Sequence, residues 1–391
     1  MFGSKQLVLY LSESSIVAGV WRKQCLEAHQ RFTNDAEGRL ATFEWLQPQQ
    51  QATLSILIDV ADEDYRLETI PHTHRWQRAT ILARKFKRLY RDNPYRTAQF
   101  LRRHFTQRSN DHYLFIALNN PDFLKPWCEQ ISNSKLELTG IYLISMVSEI
   151  VLQHLLPSLP SLYQAQGKKM FFSLQRRQSI PPVLWCEVMP STFRQSYFYE
   201  QLLYFSRLVP NVPSDPTALE SFQIKEAERM RLYLLNKQMI APDQALSLVT
   251  TRLPDDPNPA QADVGIASLS SATLPATTLA QTTFHPLTIL PLLNQFKLPL
   301  TSVRVMPELL YMQFLASGKC PLNLAPHDLI RKHIQRRLKK ILGWATGALC
   351  VLLAGILVAK LNEFQIYGVS IESAKREMLI AQHQLHKYRM A

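Results

Sequence analysis

Glycine is scarce in this chain: 11 occur in 391 residues, and no two are adjacent. Phosphate-cradling loops depend on glycine, because a residue without Cβ lets successive backbone N–H groups close on an anion. The shortage therefore counts against a nucleotide loop. No GxxxxGK[ST], GxSxG or HExxH occurs either, which removes the Walker, serine-hydrolase and zincin signatures. Cysteine is scarcer still. Cys25, Cys128, Cys186, Cys320 and Cys350 lie far apart without a CxxC, which excludes a disulfide framework. The N-terminus lacks a basic segment followed by a long apolar stretch, so no cleavable signal peptide is expected. Acid is in short supply, with 31 Asp+Glu against 44 Lys+Arg and a formal charge of +13. Such a balance suggests anionic partners, either nucleic acid or a membrane face. Apolar residues are plentiful at 46%, which excludes a wholly disordered chain. The length fits two or three domains or one two-lobed fold.

One uncharged run dominates. Ile341 to Ala359 (ILGWATGALCVLLAGILVA) is 19 residues long, bounded by Lys340 and Lys360. A helix of that length spans roughly 28 Å, close to a hydrocarbon core of about 30 Å. It reads as a transmembrane helix. Arg331, Lys332, Arg336, Arg337, Lys339 and Lys340 form a basic collar just before it, whereas Lys360 and Glu363 follow it. Basic residues bias their side of a span to the cytoplasm. The N-terminal body is thus expected in the cytoplasm and residues 360–391 across the membrane. Within the span, Gly343 and Gly347 form GxxxG, and Gly355 and Ala359 repeat the small-residue spacing that favours helix pairing in lipid. Beyond it, Phe364, Tyr367, Ile371, Ala374, Met378, Ala381, Leu385 and Tyr388 alternate at three and four. They form a heptad seam, read either as a short coiled coil, which requires a second strand, or as an amphipathic helix.

Basic charge is concentrated a second time. Residues 75–108 hold eleven Lys/Arg and one acid, Asp92, with Trp76, Phe86, Tyr90, Tyr95, Phe100 and Phe105 interleaved. The helical spacing of 75–92 places Arg75, Arg78, Arg84, Lys85, Lys87, Arg88 and Arg91 on a basic surface, with the aromatics on an apolar face. Four readings stand for this surface: a solvated helix face, a face on an anionic lipid bilayer, contact with an acidic partner, and nucleic acid, the least favoured of the four. Without this stretch and the collar the remaining chain has a net charge of −3. The body is mildly acidic with two basic patches.

The body reads as mixed α/β. A hairpin is expected over Leu7–Leu11 and Ile16–Trp21, strands over 53–60 and 113–118, and helices over 75–92, 121–132 and 143–156. After Gly167, a strand pair is expected over 170–174 and 183–188, helices over 194–208 and 217–238, and a strand over 245–251. A Pro-rich loop, 252–286, has an edge strand near 263–269, and a helical part over 286–316 follows. No internal sequence repeat is evident.

The order of these elements resembles a known family. It comprises a strand–turn–strand opening, a basic helix after Pro71, a strand leading into NNPDFLKPWCEQISNSKLELTGIYLISM, and then RQSYFYEQLLYFSRLV and EAERMRLYLL. The sequence closes on CPLNLAPHDLIRKHIQRRLKK and one span. This layout resembles the actin-like proteins of type II secretion and type IV pilus assembly platforms, the secretion L-type subunit and the PilM family. The pilus family binds a separate membrane protein carrying an NLxP-type motif. Here Asn323-Leu324-Ala325-Pro326 stands in cis, 15 residues before the span. The resemblance implies a two-lobed actin-like (ribonuclease H-like) α/β body, with lobes at 1–166 and 167–328, a collar at 329–340, a span at 341–359 and a periplasmic tail at 360–391. It also implies a non-enzymatic inner-membrane scaffold. Its partners would be a cytoplasmic assembly ATPase and another single-span inner-membrane protein, joined in a homo- or heterodimer. The alternative is a membrane-tethered nucleic-acid-binding regulator using residues 75–108.

The family's nucleotide site would need Asp and Gly in two phosphate hairpins and a Gly-Gly turn. Ser12-Glu13-Ser14-Ser15 and Ser173-Leu174-Gln175-Arg176-Arg177 supply neither, and no Gly-Gly occurs. No catalytic residue, cofactor or metal is therefore expected. His72 and His74 read as loop histidines, Glu226 and Glu228 as a solvated helix face, and Asp255 and Asp256 as part of a Pro-rich loop.

Overall fold

The computed structural model describes residues 5–49, 52–104, 109–158, 181–189, 192–213, 215–252, 282–318 and 320–390. The hairpin of β1 (Gln6–Ser12) and β2 (Ser15–Arg22) forms as expected. β3 (Cys25–Thr33) continues the meander through Lys23 and Gln24, both at positive φ. That pair of left-handed residues matches the twist of the flanking strands. Helix α1 (Ala36–Leu46), capped by the Asp35 carboxylate on Gly38 N–H, leads to β4 (Thr53–Asp59). An insert follows, in which β5 (Glu63–Pro71), α2 (Arg75–Leu89), β6 (Arg96–His104) and β7 (Asn110–Leu118) form a three-stranded sheet of order β5-β7-β6 with one helix. Helix α3 (Lys125–Asn133), β8 (Glu137–Leu143) and α4 (Ile144–Leu155) complete the first lobe, whose sheet runs β3-β2-β1-β4-β8. β4 pairs in parallel with both β1 and β8. Parallel central strands are covered on both faces, and Leu7 to Leu11 and Ile56 to Ile58 are buried without interruption.

The second lobe repeats this plan. β9 (Val183–Val188), β10 (Thr192–Tyr199), β11 (Leu202–Pro210), α5 (Pro216–Asn236), β12 (Leu246–Arg252) and β13 (Thr282–Thr288) build a sheet of order β11-β10-β9-β12-β13. Its first three strands are antiparallel and its last two parallel, as in the first lobe. Even the local devices recur: a bulge near the end of the second strand, at Val20/Trp21 and Tyr197/Phe198, and then two left-handed residues, Lys23-Gln24 and Glu200-Gln201. The fold is thus a duplicated ribonuclease H-like unit, the two-lobed actin-like architecture, repeated in structure without a repeat in sequence.

Several expectations are corrected. Residues 194–208 form β10 and β11 in place of a helix. Phe193 to Phe198 are buried continuously, polar members included, so no period-two signal survives, and aromatics four apart imitate a helical stripe. Val183–Val188 forms β9, which pairs with β10 on one side and β12 on the other. Residues 159–180, with the expected strand at 170–174, the second phosphate hairpin at 173–177 and the boundary at 166/167, lie outside the described residues. So does 253–281, with the Pro-rich loop and its expected edge strand.

The expected helical part over 286–316 is β13 followed by α6 (Leu290–Phe296), α7 (Leu300–Val305) and α8 (Glu308–Ala316). Pro299 and Pro307, together with Lys297 at φ 54, separate the helices. Helix α8, expected in the second lobe, returns to the first. All nine of its residues are buried, and the Trp21 indole N–H donates to Gln313 Oε1 at 2.6 Å. The chain then enters α9 (His327–Met390), 64 residues in one helix. Packing divides the chain into a body through Ile330 and a separate helical unit, 331–391.

Candidate anchoring site and interlobe seam

The lobes meet at a buried ionic seam. Asp59 closes β4, an acid at the end of an otherwise apolar strand, and Arg194 sits in β10 between buried aromatics. Arg194 Nε and Nη2 donate to Asp59 Oδ1 at 3.0 and 2.6 Å. Its Nη1 and Nη2 reach Glu63 at 2.8 and 3.0 Å, and Nη1 also donates to Ser206 at 2.8 Å. Tyr10 OH donates to Asp59 Oδ2 at 2.7 Å. Arg194 is completely buried, and Asp59 and Glu63 are nearly so. Burial pushes the Glu63 carboxyl up despite the opposing Arg194 charge. It pushes Glu187 up to about 8, so this neighbour on β9 is largely protonated at neutral pH; Ser148 of α4 donates to it at 3.2 Å. Helix α4 adds a second tie, because the Glu149 carboxylate accepts from Gln99 Nε2 of β6 at 2.9 and 3.0 Å and from Leu203 N–H of β11 at 2.8 Å.

The arrangement neutralises charge and clamps the lobes together. Both oxygens of Asp59 are engaged. In the first hairpin, Ser12 Oγ accepts from Ser15 N–H at 3.1 Å and Asn34 Nδ2 donates to Ser12 O at 2.6 Å. The Ser12 hydroxyl and carbonyl are thus used within the hairpin and by Asn34. Among the described residues, no three His, Cys, Asp or Glu side chains assemble as a metal site. An open groove of about 720 Å³ lies between the insert and the second lobe, lined by Leu67, Arg102, Tyr199, Tyr204, residues 235–242 and Gln244. Its cations Arg102 and Lys237 stack on Tyr199 and Tyr233 at 5.7 and 5.8 Å, so they do not converge on a common ligand position as polar groups of a small-molecule site do.

The Asn-Leu-x-Pro segment docks on the outer edge of β8. Asn323 Nδ2 donates to Thr139 O at 3.2 Å, while Asn323 Oδ1 accepts from Ile141 N–H at 3.0 Å and from Ala325 N–H at 2.9 Å. Leu324 N–H donates to Ile141 O at 2.9 Å, and Leu324 is fully buried. One asparagine amide therefore satisfies the strand as a neighbouring strand would, covering an edge otherwise open to pairing. A bulge inserts Thr139, the acceptor of the Asn323 bond, into β8 opposite the Leu54/Ser55 step. Gly140 makes the space: a Cβ there would lie 2.6 Å from Asn323 Nδ2 and 2.5 Å from Tyr142 OH. The dock ends at Pro326, and α9 starts at His327.

Within α9, an 18-residue window has a mean hydropathy of 2.3 and none of it is buried, so the helix is long and apolar enough to cross a membrane once. Gly343, Gly347 and Gly355 have open space around them, and Ala359 is exposed. All six collar cations are exposed. Of the tail seam, Phe364, Tyr367, Ile371, Ala374, Met378 and Ala381 lie uncovered on α9, but so do the off-seam Leu379 and Ile380. Leu385 and Tyr388 fall within the helix, and their side chains are outside the described set.

The insert sorts the other basic stretch. Arg78 and Lys85 turn toward the sheet, to Asp111 at 3.8 Å and to Glu68. Arg103 binds Asp111 at 2.8 Å, and Arg96 caps the α2 carboxyl end on Phe86 O and Tyr90 O. Arg75, Arg84, Lys87, Arg88 and Arg91 stay exposed. Phe86 and Tyr90 are packed inward as expected, but Trp76 is 72% exposed and so departs from the apolar face. Phe105 and Arg108 lie outside the described residues. Asp59, Glu63, Gly140 and Arg194 were not legible as site residues. The available signals were the acid closing TLSILID and the lone cation in FRQSYFY.

No protein-family model and no curated protein matches the chain. Among solved structures it is similar to the cytoplasmic domain of EpsL, an inner-membrane component of the type II secretion system of Vibrio cholerae. Identity is 11% and the TM-score 0.38, over 71% of this chain and 98% of that one. It is similar to the PilM–PilN type IV pilus biogenesis complex at 10% identity and a TM-score of 0.48, over 80% and 98%. It is also similar to a Bacteroides thetaiotaomicron protein with an actin-like ATPase fold, at 11% identity and a TM-score of 0.35, over 72% and 91%. Two of these are of the kinds that the sequence resembles.

Proposed function

We propose that this chain is a non-enzymatic, single-span inner-membrane scaffold of a type IV pilus or type II secretion assembly platform. In this reading the actin-like body is cytoplasmic and residues 360–391 are periplasmic. The carrying observation is the dock of Asn323 and Leu324 on β8. It joins the body to the start of α9 through paired backbone rather than a loose linker. The seam supports a structural role, because Arg194 occupies the carboxylates that face the interlobe space. The collar supports the orientation. The body would bind an assembly ATPase and the lipid-facing helix a second single-span protein, with Gly343, Gly347, Gly355 and Ala359 offering close approach.

Two measurements test the reading. Titration of the detergent-solubilised chain with a nucleotide analogue is expected to give no saturable binding; micromolar, Mg²⁺-dependent binding would overturn the non-enzymatic part. Isolation from native membranes after crosslinking is expected to recover an assembly ATPase or a single-span partner, and recovery of neither would remove the scaffold assignment.

A further inference from the structure

The outer face of α2 has a composition that its fold does not explain. Its inner residues, Ile81, Leu82, Phe86 and Leu89, pack on the small core of the insert around Phe115 and Tyr113. The cations needed at home are accounted for: Asp111 holds Arg103 and His72, with Arg78 near, and Glu68 holds Lys85. The outward residues of the helix are Trp76, Gln77, Ala79, Thr80, Ala83, Arg84, Lys87 and Arg88, with Arg75 at the start and the exposed Arg91 just past the end. No acid occurs in the helix. Glu68 approaches Arg88 at 3.6 Å, while Arg75, Arg84, Lys87 and Arg91 have no ion-pair partner among the described residues. Trp76 stands free in solvent at 72% exposure, and Ala79 and Ala83 keep the middle of the face flat. An indole beside cations on one flat helix face suits the headgroup level of a bilayer, where the ring enters the interface and the cations meet phosphate.

We infer that this face is a second, peripheral membrane contact, taking an anionic phospholipid surface. The inference rests on the reading of 341–359 as a span. A body already tethered to the bilayer meets lipid at high effective concentration, so a modest patch suffices to hold it there. Nucleic acid is the less suitable occupant, because a single exposed aromatic gives no series of stacking positions for successive bases.

The test uses the full chain in nanodiscs with brominated acyl chains, made of phosphatidylcholine alone or with an equal share of phosphatidylglycerol. Trp76 is read as the difference between wild type and W76F, and Trp344 as the difference between wild type and W344F. Trp76 emission is expected to be quenched only with phosphatidylglycerol, and to recover in high salt. In R84Q/K87Q/R91Q, loss of three cations lowers surface partitioning on the order of a hundredfold, so quenching should disappear. An unquenched Trp76 beside a quenched Trp344 would overturn the inference and leave the span intact. If neither is quenched, the span itself fails. Salt-sensitive quenching of Trp76 by duplex DNA, without quenching by lipid, would assign the face to nucleic acid instead.

Discussion

Replacing Arg194 with methionine isolates the seam. The side chain is completely buried, and its loss deprives Asp59 Oδ1, Glu63 and Ser206 of donors. Breaking a buried pair from one side costs about 3–5 kcal/mol, because the partner charge remains in a poor solvent. Part of that cost can be relieved by protonation. The Glu63 carboxyl is already pushed up by burial with Arg194 present, and removing the arginine raises it further. A carboxylate with a raised folded pKa contributes stability that is present below its unfolded value and lost as pH rises through the folded one. The variant should therefore be most deficient near pH 8 and recover toward pH 5. Replacing the whole cluster, as D59N/E63Q/R194M, leaves no buried charge and should stay within about 2 kcal/mol of wild type. Urea unfolding of the detergent-solubilised chain, followed by tryptophan emission at both pH values, provides the assay. A loss under about 1 kcal/mol in the single variant, or a triple variant as unstable as the single, would refute the claim that charge compensation holds the lobes.

Three further outcomes follow from the geometry. Asn323→Ala should cost about 1–3 kcal/mol by leaving Thr139 O and Ile141 N–H unpaired, and should expose the 320–326 segment to protease while the rest of the body stays protected. Gly140→Ala should produce the same local release, since its Cβ would lie 2.6 Å from the Asn323 amide; an unchanged digestion pattern would refute the cradle. Glu187→Gln should flatten the pH dependence of stability. The native carboxyl titrates at about 8, so wild type loses stability as pH rises from its unfolded value near 4.5 toward 8, by at most about 1.4 kcal/mol per pH unit. Parallel pH curves of the two proteins would count against that assignment.

The sequence announced β1, β2, β4, β7, α2 and α4, because each carries an uninterrupted apolar run or a clean helical period. It hid β3, β5 and β8 for physical reasons. β3 and β5 bury only Ile70 completely between them and carry no apolar run, and β8 contains Gly140 and a bulge, features that normally weaken a strand. The site divides in the same way. The span, collar and Asn-Leu-x-Pro segment are contiguous, so they can be read along the chain. The seam joins Asp59 to Arg194 across 135 positions, and only folding places them together. The exposure of Trp76 likewise needed the insert sheet to show which side of α2 was already taken.

The dock on β8 also defines a load path. Tension drawn along α9 reaches the body first at Ile330 and Leu329, which pack on its core, then at Leu324 and Asn323, and enters the sheet through β8, β4 and β1. Three hydrogen bonds between this segment and β8, with one buried leucine, stand between the helix and the central strands. They are pulled before any strand pair of the sheet is. Under a pull along α9 this junction is therefore expected to open before the sheet does, releasing residues 323–330 and lengthening the tether while both lobes remain folded.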